Sequence, residues 1–298
     1  MSNFKSGFVT IIGNTNVGKS SLINKIIREK VSAVTAKVQT TRKNVKAILN
    51  RKDSQIIFID TPGIHKPKSK LGRTMIESAI GTIPDVDVVV YMIDATEKKV
   101  DTDIIEKFKE SKKKIILAIN KIDLVDATRI AELINQYKEL YDFKAIVPIC
   151  VHNSKNVEEL IQEIESNLDE GPAYYDKEEY TDQTLREVAE EIIREKALKL
   201  LQEEVPHGIL VEVTKMKTRK TKQNEKIYDV NATIYCLRES HKGIIIGKAG
   251  TMLKKIGTYS REDLEKALDS KVNLQLWVKV KEDWINNDTF VKKFKSKD

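Results

Sequence analysis

Residues 13–20 read Gly-Asn-Thr-Asn-Val-Gly-Lys-Ser, which matches G-x-x-x-x-G-K-[ST]. Glycines at that spacing let the backbone close around an oxyanion, and the N–H groups of residues 14–20 then point at phosphate from a helix N-terminus. The candidate site comprises Gly13, Asn14, Thr15, Asn16, Val17, Gly18, Lys19, Ser20 and Ser21. Lys19 is placed to bridge β- and γ-phosphate oxygens, and Ser20 to give an oxygen to Mg²⁺. The loop alone does not say which nucleotide it holds.

Two later stretches narrow the choice. "IIFIDTPG" sets Asp60 directly after an apolar run, with Gly63 three residues on. A carboxylate there holds Mg²⁺ through water, and the Gly63 N–H can sense a γ-phosphate. "IILAINKID" closes with Asn120, Lys121 and Asp123. The Asp123 carboxylate can accept two parallel hydrogen bonds from guanine N1–H and N2–H₂, a donor pair that adenine lacks. A base without those donors strands the carboxylate, so the discrimination is strong.

These side chains need a scaffold that brings distant segments to one edge. "FVTIIG" before the loop reads as a strand buried on both faces, and "SSLINKIIREK" after it places Leu22, Ile23, Ile26 and Ile27 at helical spacing. "VKAILN", "QIIFID", "VDVVVYMID", "KIILAIN" and "KAIVPICV" predict further strands, with helical segments or loops between them. That alternation implies an α/β domain with a mostly parallel sheet, whose ligands collect at the carboxyl ends of its strands.

The pattern changes near residue 170. "LDEGPAYYDKEEYTDQ" is turn-rich and aperiodic, so residues 171–182 read as a linker between a domain over 1–170 and a second over 183–298. Thr184 and Glu187 predict a capping box. Leu185, Val188, Ala189, Ile192, Ile193, Ala197, Leu200 and Leu201 then mark the apolar face of a long helix. "GILVEVTKM" and "KIYDVNATIYCL" follow as strands joined by a basic connection, "KTRKTKQNE". After them come "KGIII", "GKAG", a helix over "TMLKKIGTYSREDLEKAL" and a last strand, "KVNLQLWVKVK". The expected fold is a smaller α+β domain. Ile244, Ile245 and Ile246 are expected to lead into its core.

From Ser240 to Arg261 there are basic residues and no acidic one. Gly247, Lys248, Ala249 and Gly250, flanked by Lys242, Lys254 and Lys255, make the candidate RNA site. In an arrangement similar to that of KH domains the glycines would admit a phosphodiester and the lysines neutralise it; the alternative is a purely structural, helix-breaking turn. A second cluster, Lys215, Lys217, Arg219, Lys220 and Lys222, falls on the expected strand connection; a longer RNA footprint and a solvated loop both fit it.

Composition agrees with a globular protein: 40% of the 298 residues are hydrophobic and 33% charged. No long apolar run suggests a membrane span, so a soluble intracellular protein is expected. Of the net charge of +7, residues 181–298 carry +5, from 24 Lys+Arg against 19 Asp+Glu, which hints at a polyanion partner there. Cys150 and Cys236 lie far apart, and both are read as small buried residues rather than as metal ligands or a disulfide.

The ordered set G-x-x-x-x-G-K-S, D-x-x-G and N-K-x-D resembles the translation-factor class of P-loop GTPases. Followed by a domain similar to the type II KH fold, it resembles the Era family of bacterial ribosome-assembly GTPases over nearly the whole chain. The closest likenesses are "QTTR", "DTPGIHKPKSKLG", "EIIREK", "IIIGKAG", "LKKIG" and "LWVKVK". The resemblance implies GTP and GDP as ligands, Mg²⁺ held by Ser20, Thr41 and Asp60, and slow hydrolysis. It also implies binding of the single-stranded 3′ end of 16S rRNA, with a role in 30S subunit assembly in which hydrolysis times release. Either Thr40 or Thr41 could coordinate the metal; Thr41 is preferred because it directly precedes arginine, as in related GTPases. Ile64 stands where Ras-like proteins have a water-orienting glutamine. Asn16 resembles the K⁺ ligand of GTPases with a G-x-x-N-x-G-K-S loop, where K⁺ replaces an arginine finger. Lys19, Thr41 and Asn16 are therefore the candidate catalytic residues.

Two departures stand out. Asn14-Thr15 replaces the family's usual Arg-Pro, and Cys150-Val151 replaces the Ser-Ala beside the base. Val151 keeps an N–H for guanine O6, but the lost hydroxyl is expected to loosen that loop. A cytoplasmic monomer is expected, with a weak peripheral association at the inner face of the membrane left open. The alternative is an RNA-binding module that holds nucleotide structurally with little turnover. A related tRNA-modifying or iron-transport GTPase would need a different appendage, and a tandem-domain GTPase a second phosphate loop.

Overall fold

The computed structural model describes residues 4–35, 41–64, 67, 69–97, 100–202, 205–221 and 224–291. Thr40 and Lys222 lie outside them.

The first half runs β1 (Lys5–Ile12), α1 (Lys19–Ile27), β2 (Val45–Asn50), β3 (Ser54–Asp60), α2 (Lys70–Gly81), β4 (Val88–Asp94) and α3 (Thr102–Ser111). It continues with β5 (Lys114–Asn120), α4 (Ala127–Leu140), β6 (Ala145–Pro148) and α5 (Val157–Asn167). The sheet order is β2-β3-β1-β4-β5-β6, with only β2 antiparallel to its neighbour. Every residue of β4 is buried, as a strand covered on both faces requires. Val88, Val90 and Met92 face α1 and α5, while Val89, Tyr91 and Ile93 face α3 and α4. The sixth strand is shorter than "KAIVPICV" suggested: it stops at Pro148, leaving Cys150 and Val151 on the loop that follows.

Residues 171–182 are not a detached tether. The Ile48 N–H donates to the Tyr180 carbonyl (2.9 Å), Gln55 holds the backbone of Tyr174 and Tyr175, and Tyr174 packs on Phe8. The segment lies along the outer edge of β2 and covers an edge otherwise free to pair with another chain.

The second half runs α6 (Leu185–Leu200), β7 (Leu210–Lys220), β8 (Lys226–Cys236), α7 (Glu239–Ile246), α8 (Thr251–Ala267), β9 (Lys271–Val280) and α9 (Asp288–Val291). Strand β8 is central, antiparallel to β7 and parallel to β9. The Thr184–Glu187 capping box forms. Leu185, expected on the apolar face of α6, sits instead in the first turn with 49% of its surface exposed. Of the three isoleucines before Gly247 only Ile245 is core, because a short helix buries one stripe; Ile244 is exposed. Lys215, Lys217, Arg219 and Lys220 belong to β7 itself rather than to a connection.

The C-terminal segment was not foreseen. Trp284, fully buried, donates its indole N–H to the Gly208 carbonyl (2.9 Å) and clusters with Leu71 and Met75 of α2 and with Val291. Arg42 lies over its ring and donates to the Ile209 carbonyl. Lys30 pairs with Glu195 (2.9 Å) and Asp263 (2.6 Å). No helix among the described residues is long and apolar enough to cross a membrane.

Candidate functional site

The loop between β1 and α1 closes because its glycines sit where a side chain cannot. Gly18 has φ +107°, and a Cβ there would meet Asn120 Nδ2 at 2.5 Å; a Cβ on Gly13 would meet the Met92 carbonyl at 2.1 Å. Both approaches bring the carboxyl ends of β4 and β5 against the loop. Asn120 Nδ2 donates to the Val17 carbonyl (2.7 Å), tying the loop to the segment that carries Asn120, Lys121 and Asp123. Asn16 has φ 64° and lines both halves of the adjoining cleft.

Lys19 Nζ donates to the Gly13 and Asn14 carbonyls, each at 2.9 Å. Burial pulls its pKa down to about 8, with Asp60 and Glu97 pulling the other way. A phosphate beside the ammonium favours the charged form. GDP affinity is therefore expected to be flat below pH 8 and to fall toward tenfold per pH unit above it, as binding begins to take up a proton. Calorimetry in buffers of different ionisation enthalpy checks this; no proton uptake at pH 9 would refute it.

Three oxygen donors meet beside Lys19. Ser20 Oγ lies 2.8 Å from Thr41 Oγ1 and 2.8 Å from Asp60 Oδ2, and Thr41 Oγ1 is 3.2 Å from Asp60 Oδ2. They come from α1, the segment before β2 and the end of β3. Asp60 is fully buried, and its Oδ1 has no hydrogen-bond partner among the described residues. Burial raises the Asp60 pKa, opposed by the Ser20 hydroxyl and the Lys19 charge. A buried carboxylate with a spare oxygen and two hydroxyls is a hard donor set suited to Mg²⁺ that keeps waters and substrate oxygens as further ligands. Gly63 packs on Thr15, leaving no room for a Cβ. The Ile64 N–H donates to the Gly13 carbonyl (3.1 Å), so this residue braces the loop.

The cleft has two connected halves. One, of about 340 Å³, is lined by Lys19, Ser20, Thr41 and Gly63; the other, of about 640 Å³, by Asn120, Asp123, Cys150 and Val151. Ser21 and Lys121 line both. Cys150 is buried as expected, yet its role is polar: Sγ donates to Asp123 Oδ1 at 3.0 Å. Where the lost serine hydroxyl was expected to loosen this loop, the thiol ties it to the carboxylate, and its hydrogen bond lowers the Asp123 pKa. The Val151 N–H donates to Asn120 Oδ1 (3.1 Å).

Several residues escaped the sequence reading. Asp94, at the carboxyl end of β4, accepts from Lys121 Nζ at 2.5 Å and from the Thr96 hydroxyl at 2.7 Å. Glu97 accepts from Asn14 (3.2 Å). Val34, Thr35 and His152 line the cleft. An acidic residue ending a central strand was the available signal for Asp94. The others come from loops whose course only the fold determines.

Far along the chain, Gly247 (φ +73°), Ala249 (φ 50°) and Gly250 (φ +76°) form a left-handed turn between α7 and α8. Gly250 is the N-cap of α8, with no side-chain cap and no acidic residue in the first turn, which leaves that helix end suited to an anion. Lys248, Lys254 and Lys255 surround it on exposed positions, and Lys242 lies on α7 beside Glu239 (3.4 Å).

Comparison with known proteins agrees with this geometry. Residues 8–121 match the family described as 50S ribosome-binding GTPase, and residues 204–285 match the KH domain family. GTPase Era of Clostridium kluyveri is 50% identical over 290 residues, covering 97% of this chain and 98% of that protein. GTPase Era of Clostridium tetani is 50% identical over 293 residues, covering 97% and 98%. Among solved structures, Era in complex with MgGDPNP and nucleotides 1506–1542 of 16S ribosomal RNA superposes with a TM-score of 0.93 at 40% identity, covering 98% of both chains. An Aquifex aeolicus Era variant bound to GDP·AlF4⁻ gives 0.92 at 40% identity, covering 98% of this chain and 99% of that one. With half its residues shared along nearly its whole length, and the nucleotide cleft and the glycine turn both built, this chain belongs to the Era family of GTPases.

Proposed function

We propose that this chain is a GTP-driven assembly factor of the small ribosomal subunit, working in the cytoplasm as a monomer. Its first domain, over 1–170, binds GTP or GDP with Mg²⁺ on Ser20, Thr41 and Asp60 and reads guanine with Asp123. Its second, over 183–298, binds the 3′ end of 16S rRNA at the turn 247–250. The convergence of Ser20, Thr41 and Asp60 within hydrogen-bond distance, beside a cleft that ends at Asp123, carries the reading. It also disfavours a purely structural nucleotide, since a metal-poised cluster serves phosphoryl transfer. With Ile64 unable to orient water, Asn16 would hold a K⁺ ion, which would supply positive charge beside the leaving oxygen.

The test separates the two activities. A Cβ on Gly250 meets nothing within 4 Å, but its φ of +76° strains any side chain placed there. Gly250→Asp is therefore read against Gly250→Asn, which carries the same backbone strain without the charge. Relative to that control, Gly250→Asp should lower affinity for the 16S segment by about 5- to 150-fold in a filter-binding titration, with GDP affinity unchanged. Gly247 is the wrong choice, because a Cβ there meets Met252 at 2.8 Å. Turnover measured alongside should be faster in K⁺ than in Na⁺, and Asn16→Ala should erase the difference. Equal RNA affinity would dismiss the turn as an RNA site, and equal rates in the two salts would dismiss the K⁺ role.

A further inference from the structure

The basic residues of β7 acquire a meaning that their place in the sequence did not suggest. Lys215, Lys217 and Arg219 are alternate, exposed residues of one strand. On β8 and β9 the even-numbered residues, such as Val230 and Leu276, enter the core beneath α6 and α8. Odd-numbered residues of those strands therefore stand on the opposite face of the sheet. The Arg219–Asp229 ion pair (2.8 Å) and the Asn273–Asp229 hydrogen bond (2.8 Å) confirm that all three strands share this face. The register sets Arg219 level with Lys271 and Lys215 level with Gln275, and Trp277 follows one row on.

Two features make this face unlike an ordinary solvated sheet. Trp277 is 43% exposed on β9, directly opposite Thr233 of β8. Its basic residues, with Lys279, number five against two acids, Asp229 and Glu212, and Asp229 is already paired. Amides of Asn231, Asn273 and Gln275 lie between the charges. A positively charged surface with an exposed aromatic ring is what single strands bind without sequence preference, through stacking and phosphate neutralisation. Side-chain amides add hydrogen bonds to base edges. Strand β9 is an edge of the sheet, and α7 and α8 pack against it from the other side. A strand leaving the turn 247–250 can round that edge and arrive at Trp277.

We propose that the open face of β7, β8 and β9 is a second, sequence-tolerant platform for single-stranded RNA. On it Trp277 stacks a base while Lys215, Lys217, Arg219 and Lys271 neutralise phosphates. The proposal deepens the RNA-binding reading above and rests on it. Lysines on an edge strand also block sheet-to-sheet pairing, a role that would leave RNA affinity untouched.

The probe is oligouridylate of about 20 nucleotides, long enough for a surface of this kind, added to the full chain. Exposed Trp277 should be quenched on binding, whereas buried Trp284 should not. Trp277→Ala should weaken binding about 5- to 150-fold, the range of one lost base stack, and Trp277→Phe should restore most of it. Lys217→Glu with Lys271→Glu should reduce the slope of log affinity against log salt by about 1.4. All these positions are exposed, so unchanged thermal midpoints serve as the folding control. Gly250→Asp should impair the 16S segment while leaving the Trp277 quench by oligouridylate in place, so that failure of the turn and failure of this face are separate results. Wild-type oligouridylate affinity and salt slope in the Trp277 and lysine variants would overturn the proposal, as they would if the face served a protein partner instead.

Discussion

Asp123→Asn should exchange guanine for xanthine, lowering GTP affinity on the order of 10²-fold or more while creating affinity for xanthosine triphosphate. A site built around a hydrogen-bond pair rejects the base that cannot complete it, because its own polar atoms are then left without partners. The variant amide keeps one acceptor for the base N1–H and offers an N–H₂ to the xanthine C2 carbonyl. Cys150 decides which way that amide points: its thiol donates to Asp123 Oδ1, so the substituted amide should keep its oxygen toward sulfur and turn its nitrogen to the base. Cys150→Ser should preserve the switch, and Cys150→Ala should blunt it. Competition binding of the two triphosphates measures the exchange. An Asn variant that still prefers GTP would mean that Asp123 does not face the base.

Trp284→Ala should cost about 3–5 kcal/mol of stability, the range for deleting a large buried aromatic. Three losses coincide there. The ring fills the cluster with Leu71, Met75 and Val291, its N–H satisfies the Gly208 carbonyl, and its face lies 5.4 Å below the Arg42 guanidinium. Arg42 is itself buried, and that burial, with Arg194 nearby, lowers its pKa to about 9. Removing an aromatic face from a desolvated cation raises the cost further. Trp284→Phe, which keeps most of the packing but not the donor, should lose less. Urea unfolding gives the difference, and a midpoint shift worth under about 1 kcal/mol would show that this contact does not hold α2 to the C-terminal segment.

Much of the nucleotide site could be read from the chain because its chemistry is local. Gly13 to Ser21 form one turn between a strand and a helix, and the period of the flanking apolar residues declares both elements. Asp60 and Asn120 end apolar strands, and in a parallel sheet strand ends share one edge, so distant motifs could be assigned to one cleft. The capping box at Thr184 was equally local.

What the sequence left undecided depends on which surfaces meet. Cys150 looks like a small core residue until the end of β6 brings its sulfur within 3.0 Å of Asp123. Asp94 gains its role only when Lys121, from another strand end, reaches it. The lysines of β7 read as a loop because alternation is a weak signal where one sheet face is polar; register with β8 and β9 turns them into a surface with Trp277. Trp284 and Arg42 are far apart in the chain, and neither residue's neighbours announce the other. By itself the sequence determined most of the elements, the phosphate loop and the strand end that carries Asn120 and Asp123, since each rests on backbone period or on spacing within one turn. Only the tertiary structure decided the thiol that aims Asp123, the contact joining α2 to the C-terminal segment and the charged face of the second sheet, because burial and pairing are properties of surfaces brought together by folding.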